Sequence, residues 1–178
     1  MEKYTLEVAG LKRDLKICPI NEKLDIAAFI MFSDMELTIR CAEELLKKCP
    51  DFDVIITAES KGIPLAYEMA RQSGKTYVVA RKSIKLYMSD TITVEVKSIT
   101  TANVQKLNLD GGKAEMLKGK KVLVVDDVIS TGESLNAMMK LVEAAGGNIV
   151  GKAAVLAEGD AADRDDIIFL EKLPLFFK

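Results

Sequence analysis

The sequence has no histidine and no tryptophan, only four prolines, and three cysteines, at positions 18, 41 and 49. Without histidine, the commonest transition-metal ligand and the usual general base near neutral pH are both missing. Three cysteines are an odd number at no metal-ligand spacing, which points to free thiols in a reducing compartment. Cys41 falls on the apolar side of a predicted helix and reads as a core residue. No segment approaches the ~20 apolar residues that span a bilayer. The opening MEKYTLEVAGLKRDLKI has no apolar run resembling a signal peptide, so the expected location is the cytoplasm, with no membrane partner.

Charge of one sign is also in short supply. Lys and Arg number 25 against 27 Asp and Glu, spread along the chain, so no basic face of the kind that binds nucleic acid is expected. What remains is a chain of 178 residues, 49% hydrophobic and 29% charged, long enough to bury a proper core. No repeat, low-complexity tract or linker divides it, and prolines 19, 50, 64 and 174 are scattered. A single domain over 1–178 is expected.

Ser33 or Asp34 can cap a helix running to about Lys48, with Leu37, Cys41, Ala42 and Leu45 at helical spacing and Lys47 and Lys48 at its end. Val54 to Ala58 reads as a buried strand. A second helix follows Glu59-Ser60-Lys61-Gly62, with Pro64 tolerable in its first turn and Gly74 as its stop. Thr76 to Ala80 is another short apolar strand. From Thr91 to Thr100, Ile92, Val94, Val96 and Ile99 alternate with polar residues, predicting a strand with one wet face that pairs with Val104 to Leu109 as an antiparallel excursion. Strand Val122 to Asp126, a helix from about Glu133 to Ala145 and strand Ile149 to Ala157 complete the pattern. Strands alternating with amphipathic helices predict an α/β fold with a largely parallel sheet covered on both faces.

The chemistry concentrates in VLVVDDVISTG, Val122 to Gly132. A four-residue apolar strand meets two carboxylates, then Ser130-Thr131-Gly132-Glu133-Ser134 opens a helix. Parallel sheets bind ligands at the carboxyl ends of their strands, and a helix N-terminus offers unpaired N–H groups to a phosphate. Two carboxylates beside a phosphate site would repel it, so Asp126 and Asp127 need another partner, and a vicinal diol fits them. The pattern predicts a sugar phosphate. A Walker-type loop is excluded for want of a GK[ST] ending, and a dinucleotide fingerprint for want of G-x-G-x-x-G.

The stretch VLVVDDVISTGES closely resembles the binding motif for phosphoribosyl pyrophosphate (PRPP) of type I phosphoribosyltransferases, and the resemblance extends from about Asp53 to Ala157. It implies that fold: a central, mostly parallel sheet flanked by helices, a small hood at about 11–32 plus 156–178, and a flexible antiparallel hairpin or loop within 87–116. It also implies site roles. Asp126 and Asp127 match the ribose-binding pair, and Ile129, Ser130, Thr131, Gly132, Glu133 and Ser134 the 5-phosphate loop. Glu59, Ser60, Lys61 and Gly62 resemble the pyrophosphate loop in the form found in adenine phosphoribosyltransferases. Arg81, Lys82 and Lys85 resemble a basic run that follows the next strand in the adenine and xanthine enzymes. Because that run can reach a neighbour's active site in the family, a homodimer is implied.

Leu109 to Glu115 resembles a loop of the adenine enzymes, with Asp for Glu and Gly for Tyr. On this basis Asp110 either handles the proton of the base or is a plain turn aspartate. The implied reaction transfers ribose 5-phosphate from PRPP to a purine base, with Mg²⁺ held mainly by the PRPP oxygens and no dedicated protein metal cage. Leu156 and Glu158 are the expected base-binding residues. The absence of a lysine in Leu156 to Asp160 favours a 6-amino base, hence adenine, with xanthine or guanine as the alternative. A PRPP-sensing regulator with little catalysis is the other class the motif allows.

Overall fold

The computed structural model describes residues 2–97 and 104–178. Strands β1 (Lys3–Val8) and β2 (Leu11–Asn21) form an antiparallel hairpin across Ala9-Gly10, both of which have positive φ. Such a two-residue turn matches the right-handed twist of the strands it joins. With β3 (Leu24–Ala28) and the C-terminal β11 (Leu175–Phe177) they make a four-stranded antiparallel sheet in the order β1-β2-β3-β11. The hood expected from Leu11 is thus a sheet that begins at Lys3. Leu6, Val8, Leu15 and Ala27 are its buried residues.

Helix α1 (Met35–Lys48) begins at Asp34, whose carboxylate accepts from the Leu37 N–H at 3.1 Å, so Asp34 rather than Ser33 is the cap. Arg13 from β2 donates to the same carboxylate at 2.7 Å and to Glu36 at 2.8 Å, joining the small sheet to the start of the helix. That guanidinium holds the Asp34 carboxyl below its usual range. Leu37, Cys41, Ala42 and Leu45 are buried as the spacing predicts, and burial pushes the Cys41 thiol up to about 12.

Strands β4 (Val54–Ala58) and β5 (Thr76–Ala80) are joined by α2 (Ile63–Ser73), with Pro64 in its first turn and Gly74 closing it at φ 69°. The excursion is antiparallel as expected, β6 (Ile92–Lys97) with β7 (Val104–Leu109), although the Ser98 to Thr100 part of the anticipated strand lies outside the described residues. Next come α3 (Gly111–Leu117), β8 (Lys121–Ile129), α4 (Glu133–Ala144) and β9 (Asn148–Glu158). A 3₁₀ turn (Gly159–Asp163) and β10 (Ile168–Leu173) lead to the C-terminal strand.

Five strands form a wholly parallel sheet in the order β10-β9-β8-β4-β5. Alternation along β8 divides the interior. Leu123 and Val125 pack with α1, α2 and the small antiparallel sheet, whereas Val122 and Val124 pack with α3, α4 and the β6–β7 hairpin. The chain crosses from β4 to β5 on one side and from β8 to β9 on the other, so the carboxyl ends of β4 and β8 lie side by side with crossovers leaving in opposite directions. This is where an open parallel sheet forms a crevice.

Two features depart from the expected elements. Strand β8 continues three residues past Asp126, because Val128 and Ile129 pair with Leu156 and Ala157 of β9. Helix α3 replaces a loop: Asp110 caps it, and Ala114 and Leu117 bury its inner face.

Candidate active site

The carboxyl ends of β4 and β8 open into a cleft of about 530 Å³, within the range of small-molecule sites. Its walls bring together Glu59, Ser60 and Lys61 after β4, Lys82 after β5, Asp126, Asp127, Ser130 and Ser134 from β8 and its loop, and Glu158 at the end of β9. These nine come from four separate stretches of sequence. Strand β7 adds Val104, Gln105, Lys106 and Leu107 as one wall. Those four carried no chemical motif; only the hairpin pairing, which folds β7 back, could have indicated them.

Gly62 sits behind the cleft with no room for a side chain. A Cβ there would stand 2.6 Å from Thr57 Oγ1 and 3.2 Å from Asp126 Oδ1. The glycine therefore lets the first turn of α2 approach the acidic strand end. The preceding Glu59–Ser60 peptide is cis. The Glu59 carboxylate accepts from the Lys82 N–H at 2.7 Å and lies 3.2 Å from Arg81 Nε, and these partners, the Lys82 amide first, hold it below its usual range. The two loops are thereby tied together through one carboxylate.

Asp127 is 3% exposed, and its Oδ2 has no hydrogen-bond partner among the described residues; Lys61 Nζ lies 3.5 Å away. Asp126 Oδ1 accepts from the Asp127 N–H at 2.8 Å. Burial, and then the neighbouring Asp127 carboxylate, push the Asp126 carboxyl well above its usual range. A buried acceptor without a hydrogen bond is costly, and Asp127 Oδ2 stands as such an acceptor at the cleft, with Lys61 beside it.

Beyond the pair, Ile129, Ser130, Thr131, Gly132, Glu133 and Ser134 line a smaller adjoining cavity of about 110 Å³, with Asp126 at its edge. Gly132 adopts φ 82°, a left-handed conformation that suits glycine, and starts α4. The loop thus presents backbone N–H groups, three hydroxyls and the positive end of a 12-residue helix to one small volume.

Besides Gly62, four anticipated residues line neither the cleft nor the adjoining cavity. Leu156 is fully buried in the core on the α1 and α2 side, so it packs rather than reaching a ligand. Leu156 lies within β9 under the core, while Glu158, the last residue of the strand, reaches the cleft. Asp110 lines a different cavity with Tyr77, Arg81, Tyr87 and Lys113. Both of its carboxylate oxygens are engaged there, by the Ser89 N–H at 2.9 Å and the Gly112 N–H at 3.1 Å. Arg81 borders that same cavity and donates to Tyr87 Oη, and Lys85 donates to Ser83 Oγ. Among the described residues, none of the small antiparallel sheet lines the cleft.

The fold and this cleft define a class: an α/β protein with an acidic pair and a hydroxyl-rich helix start at the carboxyl edge of a parallel sheet. Residues 35–173 match the phosphoribosyl transferase domain, and the chain belongs to that family. It is 38% identical over 130 residues to adenine phosphoribosyltransferase of Rhodococcus jostii, covering 71% of this chain and 69% of that one. It is also 32% identical over 161 residues to the hypoxanthine/guanine phosphoribosyltransferase of Methanothermococcus okinawensis, covering 86% and 84%. The fold superposes on adenine phosphoribosyltransferase from Thermoanaerobacter pseudethanolicus with a TM-score of 0.73 at 24% identity, covering 89% of this chain and 95% of that one.

Proposed function

We propose that the protein transfers ribose 5-phosphate from PRPP to a purine base, with adenine favoured, releasing pyrophosphate and the nucleotide. The observation that carries this reading is the Asp126-Asp127 pair, half-buried and buried, with an Asp127 Oδ2 that has no hydrogen bond among the described residues, set directly before an anion-binding loop. In this arrangement the loop from Ile129 to Ser134 takes the 5-phosphate and the carboxylates accept from the ribose hydroxyls. Pyrophosphate falls beside Lys61 and Lys82, whose charges offset the negative charge that develops as the C1–oxygen bond breaks. A nitrogen of the base attacks C1 from the opposite face. Catalysis then rests mainly on holding donor and acceptor in line.

Mg²⁺ belongs to this reading as part of the donor. The carboxylate oxygens and hydroxyls of the cleft are the hard ligands such a cation prefers, and Asp126 and Asp127 would meet it chiefly through its waters and the PRPP oxygens. Bound there, it would neutralise part of the pyrophosphate charge. Among the described residues no cluster of three or more His, Cys, Asp or Glu could hold a metal by itself.

Glu158 is the one titratable group at the β9 end of the cleft. A carboxylate there accepts from an exocyclic amine and opposes a 6-oxo group, which supports adenine over xanthine, guanine or hypoxanthine. We assign the protein to the cytoplasm on its three unpaired thiols. Among the described residues no helix is long and apolar enough to cross a membrane. A homodimer is also part of the reading: Ile84, Leu86 and Tyr87 are exposed directly after Arg81 and Lys82, an apolar segment suited to a second copy.

Incubation with PRPP, Mg²⁺ and each of adenine, hypoxanthine, guanine and xanthine, with pyrophosphate release as the readout, tests the proposal. Fastest release with adenine is expected. No release with any of the four bases, alongside retained PRPP binding, would overturn transferase activity in favour of a PRPP-sensing protein.

A further inference from the structure

The anion-binding loop has a charge problem. It contains no Lys or Arg; its single ionisable residue is Glu133, and Asp126 and Asp127 lie just before it. Backbone N–H groups and a helix dipole worth about half an elementary charge would have to hold a phosphate dianion among three carboxylates. Lys61 Nζ stands 3.5 Å from Asp127 Oδ2, so what the loop itself still lacks is a cation directed at the phosphate.

Arg164 is that cation by position. It follows the 3₁₀ turn after β9, more than thirty residues along the chain from the loop, yet a Cβ on Gly132 would lie only 3.0 Å from Arg164 Nη1. The guanidinium therefore rests against the loop at the residue where α4 begins. Two of its three nitrogens are already committed. Nε and Nη2 donate to the two oxygens of Asp166, each at 2.8 Å, in a fork-to-fork pair. Lys152 of β9 donates to the same carboxylate at 2.7 Å and fixes its orientation. Arg164 and Lys152 together hold the Asp166 carboxyl far below its usual range. Nη1, the nitrogen nearest Gly132, has no acceptor among the hydrogen bonds of the described residues.

We propose that Arg164 serves the 5-phosphate site, its guanidinium supplying the positive charge the loop lacks, and that Asp166 and Lys152 position it. The inference rests on the PRPP reading of the loop and deepens it. An arginine clamped at two nitrogens loses little further freedom when the third meets a phosphate oxygen, which makes it a pre-organised anion partner. Glycine at 132 serves this arrangement as well as the backbone turn, since a side chain there would displace the guanidinium.

The test is binding of ribose 5-phosphate and of PRPP, by calorimetry, to the wild type and to Arg164→Gln, Arg164→Lys and Asp166→Asn. Affinity for both phosphorylated ligands should fall at least tenfold in Arg164→Gln, with partial rescue in Arg164→Lys and a smaller loss in Asp166→Asn. In turnover, the KM for PRPP should rise while kcat and the KM for the base hold steady, a split that general loosening of the fold would not give. Should Arg164→Gln fold poorly, Asp166→Asn and the decline of wild-type affinity with salt carry the test. Unchanged ribose 5-phosphate binding in a folded Arg164→Gln protein would overturn the role of Arg164 alone. Wild-type protein that bound neither ligand would overturn the PRPP reading along with it.

Discussion

Gly62 packs against Asp126 with Thr57 behind it: a Cβ at position 62 would stand 2.6 Å from Thr57 Oγ1, too close to be accommodated without a shift, and 3.2 Å from Asp126 Oδ1 and 3.4 Å from its Cα. Gly62 itself has φ −78°, so space, not backbone conformation, demands glycine. Replacing it with alanine forces either the start of α2 or Thr57 of β4 to move, and crowds Asp126 at the end of β8. Gly62→Ala should therefore cost about 1–3 kcal/mol as an overpacking change, read from the urea midpoint, and should weaken PRPP binding. An unchanged midpoint would mean the two elements are not rigidly opposed.

The buried acidic pair sets function against stability. Burial and Asp127 raise the Asp126 carboxyl, so the folded chain holds that proton to higher pH than the unfolded one. Its contribution is undiminished below the unfolded value near 3.9 and is lost as pH rises through the folded value. Asp126→Asn, which keeps an oxygen to accept from the Asp127 N–H, should make the ligand-free protein more stable at pH 7 and flatten this part of its pH dependence. Thermal unfolding from pH 4 to pH 8 checks it; a less stable variant at pH 7 would contradict the account.

Asp110 should act as a helix cap. Its oxygens accept from Gly112 and Ser89. Asp110→Ala should lower stability by about 1 kcal/mol, typical of a lost cap. Asp110→Asn, an equally good cap, should retain both stability and turnover with saturating base. Loss of turnover in the asparagine variant with stability intact would instead give Asp110 a part in proton transfer.

Leu156, fully buried, should report on packing and nothing else. Leu156→Ala should destabilise by about 2–5 kcal/mol while leaving the order of preference among purine bases unchanged. A switch in that order would place the residue at the ligand after all.

The helix and strand order of the large sheet was legible because each element was signalled locally. Val54 to Ala58 is a pure apolar run, Gly74 stops α2, and Asp34 precedes an amphipathic stretch ending in two lysines. The loops at Glu59 and Ser130 were legible for the same reason. Less visible were features fixed by distant partners. Strand β8 outruns its acidic pair because β9 pairs with it, and seven residues opening on Gly-Gly form α3 only because Asp110 caps them and Leu117 is buried. Leu156 and Glu158 lie two apart within β9, the spacing that should share a face, yet Leu156 is fully buried and only Glu158, the last residue of the strand, meets the cleft. The closeness of Arg164 to Gly132 could not be read from sequence, since it depends on how the turn after β9 folds back.

The central claim is that Asp126 and Asp127 hold the ribose of PRPP. Calorimetric titration of PRPP with Mg²⁺ into the wild type and into the Asp126→Asn, Asp127→Asn double variant tests it most directly. Loss of charge-assisted hydrogen bonds should weaken binding by about 2 kcal/mol or more. Equal affinity in the two proteins, with the double variant folded, would contradict the account.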